Sequence, residues 1–362
     1  MCRLRGVIAT VMVGCSVILA PPAFARDATP DAVRRGDLTI GLHVPWAVGG
    51  PRIERTGLLN DFPGEWPDIP MASVRLWDTR TAWLHVEPAQ DQWVFEMLDA
   101  NIDKAISHGV TDITLVLWGT PGWAAESLSA DDAPWLGPGS AAPPRDNADW
   151  VDYVRTVVSR YRGRITAYEI GNEPNLSWFW RGDPARLAEL VDVAARVIHE
   201  VDPAAAVIAP GPMMMGPNVG SVARRLWRAL AERQAPIDAV AFHWYPPAGT
   251  DPQQLVRVST AVRQATSAAG LRCESLWLTE VNLVQGRSRW DKTADWQVRQ
   301  VNRAAAQTGL DRLYWYAWTN LGPPQLLDFS PGSGAAIGLA AANRPRQSRG
   351  AQRSVPQRVD VR

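Results

Sequence analysis

The stretch Thr166–Ala209, TAYEIGNEPNLSWFWRGDPARLAELVDVAARVIHEVDPAAAVIA, carries the repeating unit of the fold. It opens with a short β-prone run, Thr166–Ile170, and closes with another, Ala206–Ala209. Between them, Asp183-Pro184 marks a helix start. An Asp caps free backbone N–H groups, and a Pro at the first helical position lacks an N–H that would go unpaired anyway. Leu187, Leu190, Val191, Ala194, Val197 and Ile198 then recur at helical spacing, so one face of this helix is apolar. Strand, crossover helix, strand is the unit of a parallel sheet.

The same alternation extends in both directions. Eight runs read as strands: Leu38–Val44, Ser73–Trp77, Asp112–Trp118, Thr166–Ile170, Ala206–Ala209, Ala239–His243, Ser275–Glu280 and Leu313–Trp318. Asp251-Pro252 repeats the helix-start signal, and Gly109 and Gly270 stand where helices should stop. The longest gap between strands holds the Pro/Gly/Ala-rich loop Ser127–Pro144. The unit after the eighth run is weak, with only the small-residue segment Ala335–Ala342. The expected fold is α/β, a (β/α)8 TIM barrel in a single domain over residues 26–343.

The two ends of the chain read differently. Residues 1–25 have Arg3 and Arg5, an apolar run Gly6–Ala20 too short to span a bilayer, and Ala23-Phe24-Ala25 as a small-x-small cleavage site. This is the pattern of a signal peptide, so a secreted or periplasmic protein is expected, with no membrane partner after cleavage. Lipoprotein processing at Cys15 is the rival reading. Beyond residue 25 only Cys273 remains, which excludes an internal disulfide. Residues 344–362 are rich in Arg and poor in apolar side chains, and are expected to form a disordered basic tail. Lys+Arg and Asp+Glu both total 37, a balance that gives no reason to expect nucleic acid as a partner. A monomer is expected. The 18 Trp, against 6 Phe and 6 Tyr, fit a sugar-binding protein, because a pyranose face stacks on an indole.

In this fold the active site forms at the C-terminal ends of the strands. There the sequence sets His43 with Trp46 just beyond, Arg75, Trp118 with Trp123 beyond, Asn172-Glu173, His243-Trp244-Tyr245, Glu280 and Trp318. Carboxylates ending the fourth and seventh strands suit glycosidic bond cleavage. One carboxyl protonates the leaving oxygen while the other attacks or stabilises the anomeric carbon. Retaining enzymes hold the two about 5–5.5 Å apart and inverting ones about 6.5–9.5 Å, and the shorter spacing is expected here.

Tyr168–Asn175, YEIGNEPN, resembles the Asn-Glu-Pro signature of clan A glycoside hydrolases. Leu276–Glu280 resembles the clan's strand-seven nucleophile segment, and His243-Trp244-Tyr245-Pro246 its strand-six His-x-Tyr. Arg75-Leu76-Trp77-Asp78, with Trp83 and Glu87-Pro88, is similar to the strand-two region of family 39. The resemblance implies Glu173 as acid/base, Glu280 as nucleophile, Asn172 on the sugar 2-hydroxyl and Tyr245 supporting Glu280. Unlike in the family 39 β-xylosidases, no added β-sandwich is expected beside the barrel. It resembles the short, secreted, exopolysaccharide-type members better, which implies endo action on a poly- or oligosaccharide.

Further roles are expected at the same edge. Arg75 beside Glu280 would keep a nucleophilic carboxylate ionised. His243 and His43 are candidate contacts, and Glu169 is expected to be structural. Trp318 would floor the central sugar site, with Trp46, Trp118, Trp123, Trp178, Trp180 and Trp244 lining outer ones. Trp150, Trp227 and Trp296 fall in helices and should pack. No His-x-x-x-His or Cys pair at ligand spacing is present, so no metal or cofactor is expected. An exo-acting β-xylosidase-like enzyme, a transglycosylase and a non-catalytic carbohydrate-binding protein are the alternatives.

Overall fold

The computed structural model describes residues 38–45, 47–53, 59–62, 64–130, 132, 136–284, 293–318, 327, 329 and 333–342. The signal-peptide segment, the basic tail and Trp46 lie outside the described residues. Eight parallel strands form the barrel: β1 (Thr39–His43), β2 (Ser73–Leu76), β3 (Asp112–Leu117), β4 (Ala167–Ile170), β5 (Ala206–Ala209), β6 (Ala239–Trp244), β7 (Ser275–Val281) and β8 (Arg312–Trp315). Each pairs with the next, and β8 pairs back onto β1 with Leu313 opposite Ile40, so the barrel is closed. All eight expected strands are present, with ends displaced by at most three residues.

Helices surround the barrel: α1 (Trp83–Val86), α2 (Glu96–Ser107), α3 (Asn147–Tyr161), α4 (Pro184–Val201), α5 (Ser221–Arg233), α6 (Gln254–Ala268), α7 (Ala294–Gln307) and α8 (Gly334–Ala342). Between β1 and β2 the described residues form an antiparallel hairpin, Gly50–Ile53 with Leu59–Phe62. The Asp183 carboxylate accepts from the Ala185 N–H at 2.8 Å, capping α4. Helix α6 starts two residues later than Asp251-Pro252 indicated. There the Asp251 carboxylate caps the Gln253 N–H in a preceding turn. Gly109 and Gly270 adopt φ of +80° and +79°, the left-handed backbone that ends a helix most readily with glycine. Among the described residues no helix is long and apolar enough to cross a membrane.

Side chains on a strand alternate in direction, and this sorts the core into two parts. In β6, Val240, Phe242 and Trp244 face the helices, while Ala239, Ala241 and His243 face the barrel interior. The lower interior is filled by Trp277 and Tyr314 against Ala167, Ile208, Ala239 and Ala241. Two large rings on adjacent strands are accommodated because the facing strands carry Ala. Above this layer the interior turns polar.

Candidate active site

The floor of the mouth is a buried ionic layer. Arg75 on β2 is fully buried, and its Nε donates to Glu169 Oε2 on β4 at 2.8 Å. Glu169 Oε1 also accepts from the Gly211 N–H and the Thr279 hydroxyl, both at 3.2 Å. Burial of a charge is tolerable only when it is paired and hydrogen-bonded. Burial opposes ionisation of Arg75, yet Glu169 and Glu280 outweigh it and hold the guanidinium above its ordinary value. The same contest, decided by Arg75 and His243, keeps the Glu169 carboxyl below its ordinary value.

Two local devices lift glutamates onto this floor. After β4, Gly171 adopts φ +94° and Glu173 itself φ +39°, so the chain breaks strand alternation and turns Asn172 and Glu173 into the mouth. A non-glycine residue held at positive φ costs of order 1–3 kcal/mol, and such strain collects at functional sites. In β7 the register against β6 shifts between Leu278 and Glu280. This β-bulge lets consecutive residues both reach inward: Thr279 to Glu169, and Glu280 to Arg75.

Glu280 sits among donors. Arg75 Nη1 donates to its Oε2 at 3.2 Å and the Tyr245 hydroxyl to its Oε1 at 2.5 Å. Arg75 Nη2 donates to Asn172 Oδ1 at 3.0 Å. His243 Nδ1 lies 2.9 Å from Glu173 Oε1 and 3.8 Å from Glu280 Oε2. A carboxylate oxygen of Glu173, one of Glu280 and a ring nitrogen of His243 all lie within 4.8 Å of one another. Burial pushes the Glu280 carboxyl up to about 7. The Glu173 charge adds to this, while His243, Arg75 and the Tyr245 hydroxyl pull the other way. Burial also works against a charge on His243, but Glu280, Glu169 and Glu173 outweigh it and raise the imidazole to about 9. His243 is therefore an imidazolium at neutral pH and donates to Glu173. His43, desolvated and facing Arg75, is driven well below its ordinary value and stays neutral, with Nε2 donating to the Thr279 carbonyl at 3.0 Å.

The structure thus brings together Arg75, Asn172, Glu173, His243, Tyr245, Glu280 and His43. The expected Trp residues that are described are mostly taken up in packing, although the Trp318 backbone N–H donates to the His43 carbonyl at 2.9 Å. Trp244 is fully buried and faces the helices, because it has the opposite strand parity to His243. Trp318 is 1% exposed and packs in the main core. Trp118 is buried against Trp77 and Phe179, its N–H donating to the Trp77 carbonyl at 3.3 Å. Trp123 donates to the Glu87 carbonyl at 3.0 Å and packs edge-on to Trp83. Of the expected outer-site residues that are described, only Trp178 is exposed, at 46%. Trp150 and Trp227 are buried in α3 and α5.

Sequence reasoning missed two supports. Gly211 follows β5, where a Cβ would lie 2.8 Å from the His243 ring, so only glycine admits the imidazole. Tyr316 follows β8 and places its ring 5.1 Å from that of His43. Two acidic groups have spacing compatible with a cation. In Glu173, His243 and Glu280, both Glu280 oxygens already accept, from Arg75 and Tyr245, and His243 Nδ1 is engaged with Glu173 Oε1. In Glu87, Asp91 and Asp152, both Glu87 oxygens already accept, from the Trp83 indole and the Asp91 N–H.

No family model matches the chain. A β-xylosidase of Geobacillus stearothermophilus is 32% identical over 125 residues, which span 32% of this chain and 24% of that protein. The matched stretch thus covers about a quarter of the curated relative's length. Among solved structures, a monomeric β-xylosidase from Caulobacter crescentus CB15 aligns with TM-score 0.58 and 19% identity, covering 76% of this chain and 60% of its own. A GH39 enzyme from Xanthomonas axonopodis pv. citri gives 0.58 and 20%, covering 75% and 60%. A GH10 protein from Paenibacillus barcinonensis gives 0.56 and 15%, covering 88% and 99%. At these identities the likeness establishes a shared (β/α)8 barrel.

Proposed function

We propose that the chain is a retaining glycoside hydrolase, with Glu280 as nucleophile and Glu173 as acid/base. The observation that carries this reading is the approach of the two carboxylates within 4.8 Å, with Glu280 held by Arg75 and Tyr245. An approach this near favours the short spacing of double displacement over the wider gap in which an inverting enzyme places its water. Ionised Glu280 attacks the anomeric carbon while Glu173, taking the proton that His243 Nδ1 donates to it, protonates the departing oxygen. The resulting ester abolishes the Glu280 charge. Glu173 then takes a proton from the incoming water, whose oxygen attacks the anomeric carbon and releases Glu280 as the carboxylate, and Glu173 returns a proton to His243. The named activity of the Geobacillus relative supports glycosidase chemistry.

Glu280→Ala should lower kcat by at least about a thousandfold, of the order expected on losing a covalent nucleophile. Azide should restore turnover and yield a glycosyl azide of inverted anomeric configuration. Normal turnover by Glu280→Ala overturns the assignment. Glu173→Ala should spare substrates whose leaving groups need no protonation. Within this reading the substrate is a poly- or oligosaccharide met outside the cytoplasm and cleaved internally. Trp178, exposed five residues after Glu173, offers a stacking face for a further sugar unit. The β-xylosidase relative favours the exo alternative. Product sizing decides between them: early mid-length oligosaccharides mean endo action, and monosaccharide alone means exo.

A further inference from the structure

Three polar side-chain atoms at the mouth are buried without a hydrogen-bond partner among the described residues: His43 Nδ1, Asn172 Nδ2 and Asp78 Oδ1. Their chemistry is fixed by what their other atoms do. His43 Nε2 donates to the Thr279 carbonyl, so Nδ1 presents a bare lone pair. Asn172 Oδ1 accepts from Arg75, so Nδ2 is a donor. Asp78 Oδ2 accepts from the Tyr316 hydroxyl at 2.9 Å, which leaves Oδ1 as an acceptor. Two acceptors and one donor around a pair of carboxylates describe the complement of a polyhydroxylated, uncharged ring.

Asp78 is the member with no role so far. It lies three residues beyond Arg75, past the C-terminal end of β2. Its partner Tyr316 stands against His43 and 6.1 Å from Trp77, and the Tyr316 hydroxyl is raised by burial and by the charges of Asp78, Glu280 and Glu173. Asp78 is thus tied through Tyr316 and the Arg75 charge to the residues that hold Glu280. A carboxylate needed only to orient Tyr316 would not require its second oxygen buried with no partner on another described residue, since leaving such an atom poorly satisfied is costly.

We propose that Asp78 is a substrate-contacting specificity residue, whose Oδ1 accepts a ring hydroxyl of the sugar seated between Glu173 and Glu280 and whose charge selects neutral sugars over uronates. The proposal rests on the hydrolase reading above. An anionic sugar placed there would meet a desolvated like charge, which is the repulsive half of specificity.

The test measures kcat/KM for the full chain and for Asp78→Ala, Asp78→Asn and Tyr316→Phe. The probes are 2,4-dinitrophenyl β-D-xylopyranoside, its 3-deoxy and 4-deoxy analogues, and the β-D-glucopyranoside and β-D-glucuronide with the same leaving group. That leaving group needs no protonation, so contacts to the sugar are isolated. Asp78→Ala should lose at least about tenfold on the parent xyloside, as expected for a hydrogen bond to a charged group, and under about threefold on one deoxy analogue. Asp78→Asn should raise the glucuronide-to-glucoside ratio at least about tenfold. Equal losses on parent and both deoxy sugars, matched by Tyr316→Phe, make Asp78 a strut for Tyr316 and overturn the proposal. Wild-type turnover of none of these glycosides, indistinguishable from Glu280→Ala, overturns this contact to a xylose- or glucose-type ring, whereas failure to release shorter products from any of a panel of polysaccharides overturns the hydrolase reading separately.

Discussion

His243 carries a proton because carboxylates reach it from three elements. Glu169 and Glu173 come from β4 and its exit turn, and Glu280 from the bulge of β7. Arg75 and neutral His43 face the same cluster from β2 and β1. Linkage sets the sign of the consequence. The folded His243 binds its proton up to about 9, against 6.5 as an ordinary group. Stability from this site is therefore complete below 6.5 and is lost as pH rises through about 9. Glu280, raised from 4.5 to about 7, acts in the same direction lower down, since the unfolded chain gives up that proton first. At about 1.4 kcal/mol per unit, His243 alone accounts for up to about 3 kcal/mol of lost stability across its window. Urea unfolding at a series of pH values should show the decline, and His243→Gln should flatten it above 6.5. An unchanged slope in that variant would mean the charge resides elsewhere.

Strand alternation explains both what the sequence revealed and what it concealed. Ala239-Val-Ala-Phe-His-Trp244 encodes inside and outside by turns, so with His243 in the mouth Trp244 belonged in the helix layer. Expecting both at the mouth ignored that period. Glu280 follows inward Thr279 and violates the period, and only the bulge in β7 reconciles them. A bulge leaves little trace in a single sequence, so the acidic motif was the readable signal there. Asp78 and Gly211 sit in connections whose conformation is set by partners distant in the chain, and no local pattern announces them. Helix α8 was also underestimated. Its Ala and Gly residues give it no amphipathic stripe, yet that smallness is what lets it approach α7. A Cβ on Gly338 would lie 2.9 Å from the Asp295 backbone. Gly338→Ala should therefore destabilise by about 1–3 kcal/mol despite the gain in helix propensity. Ile337→Ser, on the exposed side, should stay within about 0.5 kcal/mol. Calorimetry on the two variants checks this, and equal melting temperatures would refute close packing of α8.

The barrel as a whole is filled asymmetrically, and its closure depends on that. Tyr314 on β8 reaches across the interior, its hydroxyl within 2.8 Å of Ser73 Oγ on β2 and 2.9 Å of Thr114 Oγ1 on β3. Its ring crosses β1 at Gly41, which pairs with Tyr314 on one side and Ser73 on the other. A Cβ on Gly41 would lie 2.6 Å from the Tyr314 ring and 2.7 Å from the Ser73 carbonyl oxygen. The first obstacle is a side chain and can be removed by substitution. The second is the backbone of the neighbouring strand, and moving it means widening the β1–β2 seam that holds Arg75 in place. Gly41→Ala should accordingly cost more than the about 1–3 kcal/mol of ordinary overpacking. Adding Tyr314→Leu should not rescue it, because the Ser73 contact persists. Chemical denaturation of the single and double variants separates the two obstacles. Full recovery in the double variant would show that ring crowding alone excludes a side chain at position 41. Persistent destabilisation, with loss of glycosidase turnover in the remaining folded fraction, would show that strand spacing at the barrel's lower layer is transmitted to the Arg75–Glu280 contact above it.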